Sequence, residues 1–146
     1  MATFYKFNVF VEDLASAVHD LTTDTLKVAM FPAASAPSAI DELLGSMTGE
    51  ITYTNMTTSP TASRSLGTPS TAAETGGVFT LDYADMTVTA GAGAIAAFRY
   101  IVVYNDSTTV KTDPVIGWYD YGSDLTLTSG QTLLISFNAS GIFTIT

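Results

Sequence analysis

IAAFRYIVVYND, residues 95–106, and DPVIGWYDYGSDLTLTSGQTLLISFNASGIFTIT, residues 113–146, decide the fold of this chain. Apolar runs of strand length alternate with turn chemistry at Asn105-Asp106-Ser107, Asp113-Pro114, Gly122-Ser123-Asp124, Ser129-Gly130 and Ser140-Gly141. Short antiparallel strands joined by tight turns produce that rhythm. Residues 95–104 are apolar on both parities, as expected of a central strand covered on both faces. Arg99 interrupts that run. A cation there needs a partner, and Asp82 or Asp85 is the expected one. Val115 to Tyr121 read as the next strand, with Trp118, Tyr119 and Tyr121 in the core or on a packed rim. Leu125 and Leu127 follow. Leu133, Ile135 and Phe137 share one face, and Gly141, Phe143 and Ile145 close a last strand.

Working outward, residues 78–89 (VFTLDYADMTVT) change parity. Phe79, Leu81 and Tyr83 share one face, whereas Met86 and Val88 fall on the other. A β-bulge or corner near Ala84-Asp85 brings both sets to one face, because a one-residue slip inverts a strand. Residues 90–94 (AGAGA) are a turn. Residues 57–77 (TTSPTASRSLGTPSTAAETGG) are low in complexity. They read as a surface loop, with one edge strand at 61–67 or with its order imposed by a partner. Residues 50–58 alternate as a strand. Residues 38–47 read as a short helix with Ser38 as N-cap, Asp41 three residues on and Gly45 near the end. Residues 25–32 read as a strand ended by Pro32. Residues 12–24 carry Leu14, Ala17, Val18 and Leu21 at helical spacing. Residues 3–11 alternate as a strand or arm. The expected fold is all-β and mainly antiparallel: about eight strands with one or two short helices, in a β-sandwich or jelly-roll-like single domain spanning 1–146. A possible N-terminal arm (1–12) and the loop 57–77 stand apart from its body.

Composition narrows the function. The chain has 146 residues and no cysteine, so disulfides and thiolate metal sites are excluded. Only 13% of residues are charged, against about 25% in typical soluble domains. There are 24 threonines, which suit a half-exposed pleated surface. A hydroxyl-rich exterior desolvates at less cost than a charged one, as a surface covered by a partner would need. Net charge is −9, with 14 acidic and 5 basic residues. Lys6, Lys27, Arg64, Arg99 and Lys111 are scattered, which argues against nucleic acid as partner and against an anionic membrane. No run approaches the roughly 18 apolar residues of a spanning helix. MATFYKFNVFVEDL lacks the features of a signal peptide and reads as mature protein.

Catalytic signatures are missing from the sequence pattern. His19 is the single histidine, and its surroundings (ASAVHDL) hold no nucleophile motif. It reads as structural, with Asp20 beside it. One histidine and no cysteine argue against zinc. Asp120 to Asp124 surround a glycine turn but lack the twelve-residue calcium-loop pattern. Asp82 with Asp85, or Asp113 with Asp120, are the acid pairs a glycosidase would need. Gly91 and Gly93 form too short a stretch for a phosphate cradle and no lysine follows them. No catalytic residue, cofactor or metal site is expected.

HDLTTDTLKVAMF (19–31) and FRYIVVYND…DPVIGWYDYGSDLTLTSGQTLLISFNASGIFTIT resemble a family of small structural proteins of tailed bacteriophages. The likeness covers roughly 18–32 and 78–146. Between 33 and 77 the chain lacks the glycine-rich pattern that the resemblance leads one to expect. The resemblance implies a β-rich virion component without enzymatic activity, of the capsid decoration or cement type. Its implied partner is the major capsid protein and its implied state a homo-oligomer, a trimer at three-fold positions. It would sit on the capsid surface after synthesis in the host cytoplasm. A tail, neck or fibre-associated component is the alternative. A glycan-binding module using Trp118, Tyr119 and Tyr121 is a second. The contact residues expected for a protein interface are Phe4, Tyr5, Phe7 and Phe10 on the N-terminal arm, with Arg64 and Leu66 in the loop. The competing expectation for Phe4 to Phe10 is an ordinary core strand.

Overall fold

The computed structural model describes residues 2–107, 110–138 and 140–146. In chain order the elements are β1 (Thr3–Lys6), α1 (Val9–Ala15), β2 (Leu26–Phe31), β3 (Met56–Ser59), β4 (Thr71–Thr75), β5 (Val78–Asp82), β6 (Met86–Ala90), β7 (Phe98–Asn105), β8 (Val115–Leu125), β9 (Thr132–Ile135) and β10 (Phe143–Ile145), with one 3-10 turn at Leu44–Ser46. The architecture is all-β, antiparallel and sandwich-like, as the turn rhythm predicts.

One layer is a four-stranded sheet in the order β1-β8-β7-β2. Val28 faces Val103 across β2 and β7, and Val102 faces Trp118 across β7 and β8. The apolar residues of β7 on both parities are explained by cover on both faces. Leu26, Val28, Met30 and Val103 point into the main core with Leu81, Met86, Val88 and Ile142 of the second layer. Ala29, Phe31, Tyr100, Val102, Tyr104 and Trp118 point the other way, packing with Phe7 and Val9 and against Leu44 and Met47. Each such buried aliphatic or aromatic side chain contributes about 1.5–3 kcal/mol relative to exposure.

The second layer consists of two three-stranded sheets, β10-β5-β4 and β3-β6-β9. They are joined where β5 runs into β6. The parity change is a corner: β5 ends at Asp82, β6 begins at Met86, and each half pairs with a different sheet. Leu81, Tyr83, Met86 and Val88 all reach the same core, as the sequence pattern requires. The partner chain bends with it. Phe143 pairs with Leu81 and Ile135 with Met86, so β9 and β10 flank the two halves of one bent strand.

Several expected elements differ. Residues 3–11 are not one strand. The ladder onto β8 ends where the Phe7 amide donates to Ile116 O, and Asn8 turns into αR geometry. Val9 and Phe10 are adjacent yet both buried. A strand would send them to opposite faces, whereas a helix turns both inward. The helix therefore starts three residues before the expected 12–24 segment and closes at Ser16, with Ala17 in left-handed geometry. Residues 38–47 form no α-helix. Ser38 and Asp41 do close a turn, but Glu42 O and the Leu44 amide are taken by Val115 and Asp113, which pulls the chain into an extended bridge. The expected strand 50–58 survives only as β3, because a turn from Tyr53 to Met56 interrupts it. The loop 57–77 contains β4 and all of β3 except Met56. Its 61–67 portion is no strand but docks on the β2 edge, where Val28 donates to Arg64 O and Leu66 to Leu26 O.

Candidate functional site

β2 is capped along its outer edge by residues 51 and 64–66. The opposite side of the sandwich is open. Among the described residues β1 pairs only with β8, β9 only with β6 and β10 only with β5. Between these three edges lies a groove of about 760 Å³. That is the size of a ligand or peptide-anchor cleft. Phe4, Ile101 and Tyr119 line it from the four-stranded sheet, and Leu133, Ile135 and Phe143 from the second layer.

The walls are built from aromatic contacts. The Phe4 ring lies 5.0 Å from Tyr119 and stacks on Phe143 at 6.0 Å, while Phe137 sits 6.4 Å from Tyr119. Gly117 makes room for Phe4, since a Cβ there would run into the ring and the Tyr5 carbonyl. The Tyr119 hydroxyl donates to Ile142 O at 3.4 Å. Burial, helped by the Asp82 charge, pushes that phenol up to about 12, so it is a neutral donor at physiological pH. Asp85 fixes the second wall by accepting from Ser136 Oγ and the Phe137 amide, both at 2.9 Å. At the margin, Tyr121 and Leu134 are 54% and 59% exposed. These side chains continue the apolar lining onto the outer surface.

Arg99 closes one end. It makes a bidentate pair with Asp120, Nε to Oδ1 at 2.7 Å and Nη2 to Oδ2 at 2.9 Å. The pair holds the Asp120 carboxyl below the usual carboxylate range. Asp82 and Asp85 are thus not its partners, contrary to expectation: Asp82 accepts from Ser70 and Asp85 from Ser136. Lys27, Arg64 and Lys111 are likewise paired internally, with Asp106, Glu50 and Asp13. Four of the five cations are thereby used inside the chain, leaving the surplus of carboxylates to face outward.

The six expected contact residues separate. Phe4 lines the groove, whereas Tyr5, 44% exposed, lies stacked on Trp118 on the opposite face of the sheet. Phe7, Phe10 and Leu66 are core residues and present no surface to a partner. Arg64 lies on the far edge, its guanidinium 3.5 Å over the Tyr53 ring and its Nε donating to Val28 O. Met1 of the expected arm lies outside the described residues. The aromatic platform does not form either. Trp118 is buried under Tyr5 and Phe7 on the face opposite Tyr119. The carboxylates of the Asp120–Asp124 turn serve the chain itself, Asp120 on Arg99 and Asp124 on the Ala33 amide. Among the described residues no group of three or more His, Asp or Glu converges as metal ligands would. No described helix is long and apolar enough to cross a membrane.

Sequence reasoning placed Leu133, Ile135 and Phe137 on one face, without showing that this face ends in an open groove. The remaining signal was Leu133-Leu134, two adjacent leucines in a strand, one of which must point away from the core. Comparison with protein families, with curated proteins and with solved structures finds no match for this chain.

Proposed function

We propose that this protein is a structural component of a bacteriophage virion, of the capsid decoration type, binding the outer surface of the major capsid lattice as a homotrimer. One observation carries the adhesive part of this reading: an apolar groove of about 760 Å³ flanked by three strand edges that end their sheets. Unpaired edges offer backbone donors and acceptors, and the groove offers apolar area that water covers poorly. Together they suit a protein surface better than a small polar substrate. The resemblance of residues 18–32 and 78–146 to small phage structural proteins selects the shell among possible surfaces. A standard interface of about 1,600 Å² needs no chemistry to be tight, and many copies on one shell add avidity. The excess of outward carboxylates favours a partner face that is basic or neutral.

The test is co-sedimentation of purified protein with undecorated shells. Wild-type protein saturates the shells at hundreds of copies each. Leu134→Lys, at an exposed position on the groove margin, folds normally and binds at least tenfold more weakly. Failure to bind shells, saturation at a few copies per particle, or indifference to the lysine contradicts the reading. A few copies would assign the protein to the tail or neck.

A further inference from the structure

We infer that the groove is under proton control from a buried histidine about one aromatic side chain away, and that acidification loosens its wall. This rests on the reading of the groove as the docking site, and adds its regulation.

His19 is buried where three parts of the chain meet. Asp13 of α1 approaches its Nε2 at 3.9 Å, and Asn105 at the end of β7 places its amide nitrogen 3.1 Å from Nδ1. Asp24, in the loop before β2, accepts from that same amide nitrogen at 2.5 Å. The Asn105 orientation is fixed, because its Oδ1 accepts from the Ser107 amide at 3.0 Å and from Ser107 Oγ at 3.1 Å. Its nitrogen therefore donates to both Asp24 and His19. Nδ1 must be an acceptor, so the neutral ring carries its proton on Nε2. A second proton has to go on Nδ1, directly against an amide donor. The imidazolium forms only if His19 and Asn105 part.

The charged groups around the ring are Asp13, Asp24 and Lys111. Asp13 and Asp24 favour the imidazolium, Lys111 opposes it, and burial opposes it most, holding the ring below its ordinary value. Asp20 is exposed and turned onto Thr22. Asp13 Oδ1 is held by Lys111 at 2.5 Å, whereas Asp13 Oδ2 and His19 Nε2 are buried and make no hydrogen bond among the described residues. An imidazolium released from Asn105 is attracted by both carboxylates, but Asp24 Oδ2 is already held by Asn105, whereas Asp13 Oδ2 lies 3.9 Å from Nε2. The ring is thus drawn toward α1 and away from β7.

α1 is where the movement reaches the groove. Phe10 packs on the His19 ring at 5.4 Å and edge-on against Phe143 at 5.3 Å. Phe143 stacks on Phe4, and both line the groove. His19, Phe10, Phe143 and Phe4 form one contiguous row of rings. Contiguity alone does not demonstrate coupling, so the experiment must separate the latch from its transmission.

Because His19 is the single histidine, its ring protons give isolated NMR signals on which to follow titration. Hydrogen exchange over residues 9–25, 3–6 and 141–146 is measured on the same protein at pH 7.5 and 5.0, corrected for intrinsic rates. His19 is expected to titrate below the ordinary histidine value of about 6.5. At pH 5.0 all three segments should exchange several-fold faster than at pH 7.5. His19→Gln, which has no proton to gain, removes the acceleration everywhere. Phe10→Leu keeps it in 9–25 and loses it in 3–6 and 141–146. Titration at or above the ordinary value overturns the latch, and so does acceleration that persists in His19→Gln. Acceleration confined to 9–25 in the wild type overturns control of the groove. These readouts use the isolated protein, so they stand or fail separately from binding to shells.

Discussion

Gly117 shows how a single backbone position sets the groove. It pairs with Lys6 across β1 and β8, and the space where its Cβ would lie holds the Phe4 ring. Gly117→Ala should expel Phe4 and loosen β1 while leaving the β7–β2 half of the sheet intact. The cost expected for such overpacking is about 1–3 kcal/mol, read as a lower midpoint in urea, with weaker docking. An unchanged midpoint together with unchanged docking would show that Phe4 does not shape the site. His19 acts at the same scale through pH. Its folded pKa is lowered from 6.5, so the unfolded chain binds the extra proton first. This contribution to stability is complete above about 6.5 and is lost as pH falls below it. The Asp120 carboxyl is also held low, by Arg99. Its stabilisation is lost only at much more acid pH, as the carboxyl protonates. Thermal unfolding followed from pH 7.5 to 5.0 should therefore show a fall in Tm in the wild type that His19→Gln reduces. Equal slopes in both proteins would remove His19 as the group responsible.

Among the elements, β7 and the β5–β6 corner were legible because burial writes directly into residue pattern. Apolar side chains on both parities at 98–104 mean two covered faces. The shift between Tyr83 and Met86 means a change of direction. The boundary between β1 and α1 was not legible. Tyr5, Phe7, Val9 and Val11 alternate like a strand, and only tertiary contacts show that Val9 and Phe10 both turn inward. The 38–47 segment carries a good helical start, but backbone groups of 113–115 compete for it and win. The groove was the least legible feature. It arises where β1, β9 and β10 end their sheets on one side of the sandwich, and no local pattern encodes which edges meet. Phe4 lines the groove, whereas the core positions of Phe7 and Phe10 depend on the turn at Asn8, which no local pattern announces. At this scale Asp85 is the clearest handle, because it ties the segment after β9 by two hydrogen bonds. Asp85→Ala should cost about 0.5–1.5 kcal/mol of stability and speed amide exchange at Phe137. Unaltered exchange there would mean that the wall is held by packing alone.

At the scale of the whole molecule, the sandwich has one capped flank and one open flank. Residues 51 and 64–66 close the β2 side, while among the described residues β1, β9 and β10 leave the other side unpaired. The −9 charge adds repulsion between copies of the chain. It also favours landing on a surface of opposite or no charge. The proposed function requires adhesion through a single flank, repeated over a lattice. For this proposal the decisive measurement is a cryo-electron microscopy reconstruction of whole phage particles. The expected result is density for this fold on the outer shell in hundreds of copies, clustered in threes, with Phe4, Leu134 and Phe143 turned toward the capsid protein. Density found only at the tail, or on the shell with that flank facing solvent, would contradict it.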